Sequence, residues 1–179
     1  MSIEIGSRLY KCFHEGGHVV AAILCGATVT GVRLEPDGTG RTSLKHRDFA
    51  KKPIIACGGF AVERILFDKG MIVDGRNAPV PNTAFESQAM DTARMDKRPF
   101  YLHQDADASG QYPGAAFQPG PNWTWPPESD APFISYALEH VVPLLRPHMS
   151  VIENLAQELN GAGRLTQEEI EDYKMLLST

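Results

Sequence analysis

Cysteine is scarce in this chain of 179 residues, which contains three. Cys12, Cys25 and Cys57 are an odd number in apolar sequence surroundings and have no paired spacing, so we expect small buried hydrophobes rather than a disulfide framework. Long apolar runs are also lacking: the longest, Val19 to Cys25, is far too short to span a bilayer. The N-terminus does not have the charged-then-apolar order of a signal peptide. These absences predict a cytoplasmic protein without a membrane span.

Positive charge is neither abundant nor clustered. The 17 Lys and Arg residues are outnumbered by 22 Asp and Glu, which gives a formal net charge of −5. The basic residues form no stripe, and this argues against nucleic acid as a partner. Hydrophobic residues make up 42% of the chain, enough for a core and too many for a disordered protein. The length suits a single domain over residues 1–179.

Hydrophobic periodicity predicts a mainly α fold with a small β-hairpin after the first helix. That helix is expected over residues 7–25, with Ser7 as its N-cap and Gly26 as its stop. Alternation of apolar and polar residues then predicts a hairpin. Its parts are a strand over 28–35, a turn at Pro36-Asp37-Gly38 and a returning strand over 39–44. Further helices are predicted over 50–67, 83–95, 97–108, 131–147 and 148–160, and a capping-box sequence at Thr166 begins a terminal helix.

Glycine and proline interrupt this helical pattern at three places. Gly58-Gly59, inside the predicted helix over 50–67, costs about 1 kcal/mol per glycine relative to alanine, which suggests close approach of another backbone. Pro99 predicts a helix boundary, and Asp96 is well placed to cap the new helix. Residues 109–130 contain five prolines and two tryptophans, and we expect a long irregular loop there.

The segment His14-Glu15-Gly16-Gly17-His18 points to chemistry. Two histidines four residues apart lie on one face of a helix, about 6 Å from each other, so both imidazoles can reach one zinc ion. Glu15 points to the neighbouring side, where it can take a proton from water as a general base. Two histidines and a glutamate are costly on an otherwise apolar helix unless they have a role. The pattern therefore predicts a zinc metallopeptidase.

Four segments in order resemble the peptidase domain of FtsH-type zinc proteases. The His-Glu-x-x-His segment is followed by a Val-Thr-rich strand with a Pro-x-Gly turn, then by a Gly-Gly-containing helix and closing helices. The matching segments are 14–18, 28–38, 57–63, and 151–156 with 165–170. Gly16, Phe60 and Val62 depart from the family pattern. The resemblance covers residues 10–70 well, 135–176 loosely and 71–130 poorly.

This resemblance implies Zn²⁺ held by His14, His18 and an aspartate at the start of a later helix. Asp96 is favoured because an alanine lies three residues before it, as in the family. Asp91 is the alternate, since its distance from the second histidine is close to the family value. Weaker candidates remain behind these two: Asp105, Asp107 and His103.

A further residue of the resemblance is Glu63, which falls where the family has a glutamate beside the site. We expect its carboxylate to accept a hydrogen bond from a zinc-bound histidine. The alternative is a buried glutamate paired with an arginine.

FtsH-type proteases carry an ATPase module before the peptidase. This sequence has no Gly-x-x-x-x-Gly-Lys-Ser/Thr loop, so it is not expected to hydrolyse ATP by itself. The expected function is a stand-alone metalloendopeptidase acting on peptides or unfolded proteins, with a separate ATPase or self-association as further options. One alternative is a catalytically inactive, metallopeptidase-like binding module. Another is a zinc hydrolase acting on a non-peptide amide.

Overall fold

The computed structural model describes residues 1–45, 48–109 and 125–177, without the side chains of Phe49 and of residues 104–109. Helix accounts for 65% of the described residues and strand for 14%, so the prediction of a mainly α fold is confirmed. Most of the predicted loop over 109–130 lies outside the described residues. His46 and the side chains of Asp105 and Asp107 also lie outside the described residues.

Helix α1 (Arg8–Leu24) forms the centre of the molecule. The Ser7 hydroxyl accepts a hydrogen bond from the Tyr10 backbone N–H at 3.2 Å, which confirms the predicted N-cap. Every residue from Cys12 to Ala22 is buried, as expected for a helix that lies inside a core rather than on a surface. The His-Glu-x-x-His segment is therefore interior.

Two small sheets flank this helix. Strand β1 (Ile3–Glu4) pairs in parallel with β4 (Ile72–Val73). Strands β2 (Thr28–Leu34) and β3 (Gly40–Lys45) form the predicted hairpin, and β5 (Arg164–Thr166) pairs with the other edge of β2. The three strands β1, β4 and β5 were not predicted, because two or three residues are too few to show an alternating pattern.

The predicted helix over 50–67 is two helices, α2 (Lys52–Ala56) and α3 (Gly58–Asp68), which meet at Cys57. At this junction the carbonyl of Gly58 lies against Gly17 of α1. A Cβ on Gly17 would collide with the Gly58 carbonyl oxygen, and a Cβ on Gly58 would collide with the Gly17 carbonyl. The predicted close approach of two backbones is confirmed, and it places α3 directly beside the His-Glu-x-x-His segment.

The helix boundary predicted at Asp96 is wrong. Helix α4 (Asn82–Thr92) ends earlier, and α5 (Arg94–Ser109) runs through Pro99, so Asp96 lies in the first turn of α5 rather than at its cap. Pro99 has no N–H to donate to the carbonyl four residues before it. Packing offsets this missing hydrogen bond, because the neighbouring Phe100 is fully buried against Phe133, with ring centroids 5.2 Å apart.

The remaining helices confirm the predicted outline of the C-terminal part. Helix α6 (Ala131–Tyr136) continues through a π-helical turn into α7 (Val142–Leu145), and a 3₁₀ turn leads into α8 (Met149–Ala162). Before α9 (Gln167–Leu177), the Thr166 backbone N–H donates to Glu169 Oε2 at 2.7 Å, as predicted for a capping box. Among the described residues, no helix has both the length and the apolar character needed to cross a membrane.

Candidate metal centre

The fold brings three side chains from two helices to one point. His14 and His18 come from α1, and Asp96 comes from the first turn of α5. The Nε2 atom of His14 lies 3.0 Å from Asp96 Oδ2 and 3.1 Å from His18 Nε2. The distance from His18 Nε2 to Asp96 Oδ2 is 3.2 Å. In the described part of the chain, this is the group of His, Cys, Asp and Glu side chains that is close enough to hold a metal ion.

The other ring nitrogens of the two histidines are bound to acceptors. His14 Nδ1 lies 2.9 Å from Glu63 Oε1, and His18 Nδ1 lies 2.7 Å from the carbonyl oxygen of Ile55. A carbonyl and a carboxylate can only accept, so both Nδ1 atoms carry the hydrogen. In their neutral forms the histidines then direct two Nε2 lone pairs at the Asp96 carboxylate. Three acceptor atoms facing one point are stabilised only when a proton or a metal cation lies between them.

A metal ion fits this cation position. In a tetrahedral zinc site with bonds of 2.0–2.1 Å, the ligand atoms lie about 3.3 Å from one another. The three observed separations of 3.0–3.2 Å are close to that value. Two imidazoles and one carboxylate are also a donor set that zinc and other divalent first-row metals accept.

The pKa values of the three side chains also indicate that positive charge is stabilised at this position. Burial would lower the pKa of His14, but the carboxylates of Glu63 and Asp96 outweigh it and raise that pKa well above its ordinary value. The pKa of His18 is raised against the effect of burial by the Asp96 carboxylate. Burial would raise the pKa of Asp96, and the imidazoles of His18 and His14 lower it instead. A bound metal would supply the positive charge that protons otherwise provide.

Glu15 lies beside this cluster and faces β3. Its Oε2 accepts a hydrogen bond from the Thr42 hydroxyl at 2.6 Å. Gly40, at the start of β3, makes room for the side chain, because a Cβ there would overlap the Glu15 carboxylate. The carboxylate is thus held next to the three proposed ligands without being one of them.

Two clefts, both lined by Glu15, open onto the cluster. The larger has a volume of about 600 Å³ and is bounded by β3, α2 and the start of α5, with Thr42, Leu44 and Ile55 in its wall. The smaller has a volume of about 380 Å³ and extends past Lys11 and Asp91. Both are lined by Glu15, Gly40, Met95 and Asp96. Glu15 is therefore accessible from both clefts.

Among the candidates whose side chains the structure describes, Asp91 and His103 do not belong to the cluster. Asp91 is an exposed residue near the end of α4 and lines the smaller cleft. His103 is buried in α5 and is not part of the three-residue group. His140 and His148 are exposed and partly exposed, respectively.

Two contacts of the site were not predicted from the sequence. The alternation along β3 could have placed Thr42 and Leu44 on one face, but not opposite Glu15. The Ile55 carbonyl has no sequence signature, because every residue has a carbonyl and only the fold selects one.

Glu63 is fully buried on α3 and contacts His14. Burial raises its pKa, and the charge of His14 opposes this rise. We expect Glu63→Gln to weaken metal affinity about 10- to 100-fold, because a neutral amide no longer increases the basicity of the imidazole. Competition with a chelator of known affinity measures this loss, and Glu139→Gln on the exposed surface is the control. Equal metal retention in the two variants would contradict a role for Glu63.

A family model described as peptidase M50B-like matches residues 5–74. The matched segment contains His14, Glu15, His18 and Glu63 but ends before Asp96. The match supports a metallopeptidase-like domain and a metal cofactor in general terms. M50 is the site-2 protease family and differs from the FtsH-type family, so the match does not extend to the finer resemblance seen in the sequence. No curated protein matches the chain.

Proposed function

We propose that the protein is a zinc-dependent metalloendopeptidase whose site resembles the proteolytic domain of FtsH-type proteases. One observation carries the proposal. Two histidine Nε2 atoms and an aspartate oxygen converge within 3.2 Å, and a glutamate stands beside them at the junction of two clefts. The protein-family match, although it covers only residues 5–74, favours the same class of enzyme.

Each residue has a separate part in this mechanism. His14, His18 and Asp96 would hold zinc, with Glu63 and the Ile55 carbonyl keeping both imidazoles in the required tautomer. When bound there, zinc supplies Lewis acidity, which acidifies water and polarises the carbonyl of a peptide bond. Glu15 takes the proton of the attacking water as general base and returns it to the leaving amine.

The hydrogen bond from Thr42 holds one oxygen of the Glu15 carboxylate. This contact leaves the other oxygen available to transfer the proton. Thr42 therefore orients the general base rather than touching the substrate bond.

The outer edge of β3 favours an extended peptide as substrate. The sheet has the order β3-β2-β5, and no strand of the described residues pairs with β3 on the cleft side. An extended chain can bind such an edge through main-chain hydrogen bonds, as in other β-strand additions. We therefore propose peptides and unfolded proteins as substrates. A single domain over residues 1–179 would act on them alone, with a separate ATPase or after self-association.

Metal analysis and a cleavage assay test the proposal together. We expect about one zinc per chain by elemental analysis and hydrolysis of casein that stops with a chelator and returns with added zinc. A preparation that holds zinc but does not cut casein favours the binding module instead. Hydrolysis of a non-peptide amide without casein cleavage favours the amide hydrolase. A folded protein that takes up no divalent metal overturns the proposal.

A further inference from the structure

The three proposed ligands differ in how their side chains are held. Glu63 fixes the ring of His14, and the Ile55 carbonyl fixes the ring of His18. For Asp96, the described residues provide hydrogen-bond or ion-pair partners only in the two histidines themselves. The position of its carboxylate therefore depends on how the first turn of α5 is attached to the rest of the protein.

Two polar side chains of α5 make that attachment. The Lys97 ammonium donates to Asp130 Oδ1 at 2.8 Å, and the Tyr101 hydroxyl donates to the carbonyl oxygen of Ser129 at 2.7 Å. Lys97 and Tyr101 are four residues apart and lie on one face of the helix. The Lys97 side chain is only 11% exposed, so its charge is paired where water gives little compensation.

The partner segment is itself anchored. The Asp130 carbonyl accepts the backbone N–H of Ile134 at 3.0 Å, at the start of α6. Phe133 in the same turn is fully buried. Ser129 and Asp130 thus belong to a fixed helix start rather than to an independent surface loop.

The aromatic contacts of α5 are less directional than these two hydrogen bonds. Phe100 packs against Phe133 and Tyr136, and this contact holds α5 against the core. Because apolar packing is non-directional, it still allows some rotation of α5 about its own axis. A rotation of about 20° moves an atom about 5 Å from that axis by about 1.7 Å. Metal–ligand distances in a formed site vary by only about 0.2 Å, so rotation of this turn must be restricted.

We propose that Lys97, with Asp130 as its partner, is the positioning residue for the third metal ligand. The ion pair restricts the rotation of the first turn of α5 and so holds the Asp96 carboxylate opposite the two imidazoles. Lys97 touches neither metal nor substrate. This inference rests on the proposed function, because it requires Asp96 to bind the metal.

Zinc affinity of the full chain tests this role. Lys97→Met and Asp130→Asn are each expected to weaken zinc binding about 10-fold, as loss of a residue that supports a ligand does. The double variant should be no weaker than the weaker single variant, because both changes remove the same pair of charges. Lys97→Arg keeps the positive charge and should retain most of the wild-type zinc affinity. Chelator competition measures the dissociation constant, and denaturant unfolding of the metal-free protein measures stability in parallel.

Tyr173→Phe is the matched control, because it removes a polar contact between α9 and Glu158 of α8, away from the site. It should reduce stability without changing zinc affinity. If Lys97→Met binds zinc as tightly as the wild type, or if affinity simply follows stability in all variants, the inference is overturned. Should Lys97→Met fail to fold, Asp130→Asn decides, because it removes the charge with little change in volume. Failure of the wild type to bind zinc would instead overturn the proposed function.

Discussion

Glu15→Gln is expected to abolish peptide cleavage while the protein still binds its metal. The amide cannot accept the proton of the attacking water, and general-base catalysis contributes about 100- to 10,000-fold to a rate. The three proposed ligands are unchanged, and the glutamine oxygen can still accept the hydrogen bond from Thr42. We therefore expect kcat/KM for an unfolded substrate to fall by that factor, with zinc content equal to that of the wild type.

Two further variants make this result specific. Glu86→Gln changes a partly exposed glutamate of α4 and should leave cleavage unchanged. Thr42→Val removes the hydroxyl that orients Glu15 and should cause a smaller loss than Glu15→Gln, since the carboxylate itself remains. Undiminished cleavage by Glu15→Gln would show that this carboxylate is not the general base. Loss of zinc in the same variant would show that it is a ligand instead.

Gly17→Ala is expected to destabilise the protein strongly, although alanine normally stabilises a helix by about 1 kcal/mol relative to glycine. The new Cβ would collide with the Gly58 carbonyl and come within 2.8 Å of Val62 Cγ2. Both obstacles belong to α3, so α1 and α3 would have to separate. Overpacking of a core costs about 1–3 kcal/mol, and we expect the free energy of unfolding to fall by the upper end of that range or more. Weaker metal binding should accompany it, because Glu63 moves with α3.

The adjacent Gly16→Ala is the matched control for this prediction. Its Cβ would lie 3.3 Å from Cγ2 of Ile152, the end of a side chain that can shift slightly. The helix propensity of alanine should offset most of that strain. Urea unfolding of both variants measures the difference. Equal stabilities would mean that the close approach of α1 and α3 is not what requires glycine at position 17.

The cluster around α1 could be predicted from the sequence to the extent that it depends on local spacing. His14, Glu15 and His18 occupy one helix, so their relative placement follows from helical geometry alone. Gly58 and Glu63 were singled out because they are exceptional inside an apolar helix. The third position was left between two aspartates, because Asp91 has about the family's distance from the second histidine, whereas Asp96 has the alanine three residues before it and a predicted capping position. Which of the two aspartates faces the histidines depends on how α4 and α5 are oriented, and the spacing of residues in the sequence does not reveal that orientation.

Local sequence by itself determined the mainly α fold, the N-cap at Ser7, the hairpin after α1 and the placement of His14, Glu15 and His18 within that helix. These features depend on contacts within a few residues, where propensity and periodicity act directly. The tertiary structure alone decided that α5 already begins at Arg94, that Asp96 rather than Asp91 faces the histidines, and that Thr42 and Ile55 contact the residues of the site. Those outcomes depend on packing between segments distant in sequence, such as Phe100 on Phe133 and Gly17 on Gly58. Packing energies of this kind exceed local preferences and leave no periodic pattern in the chain.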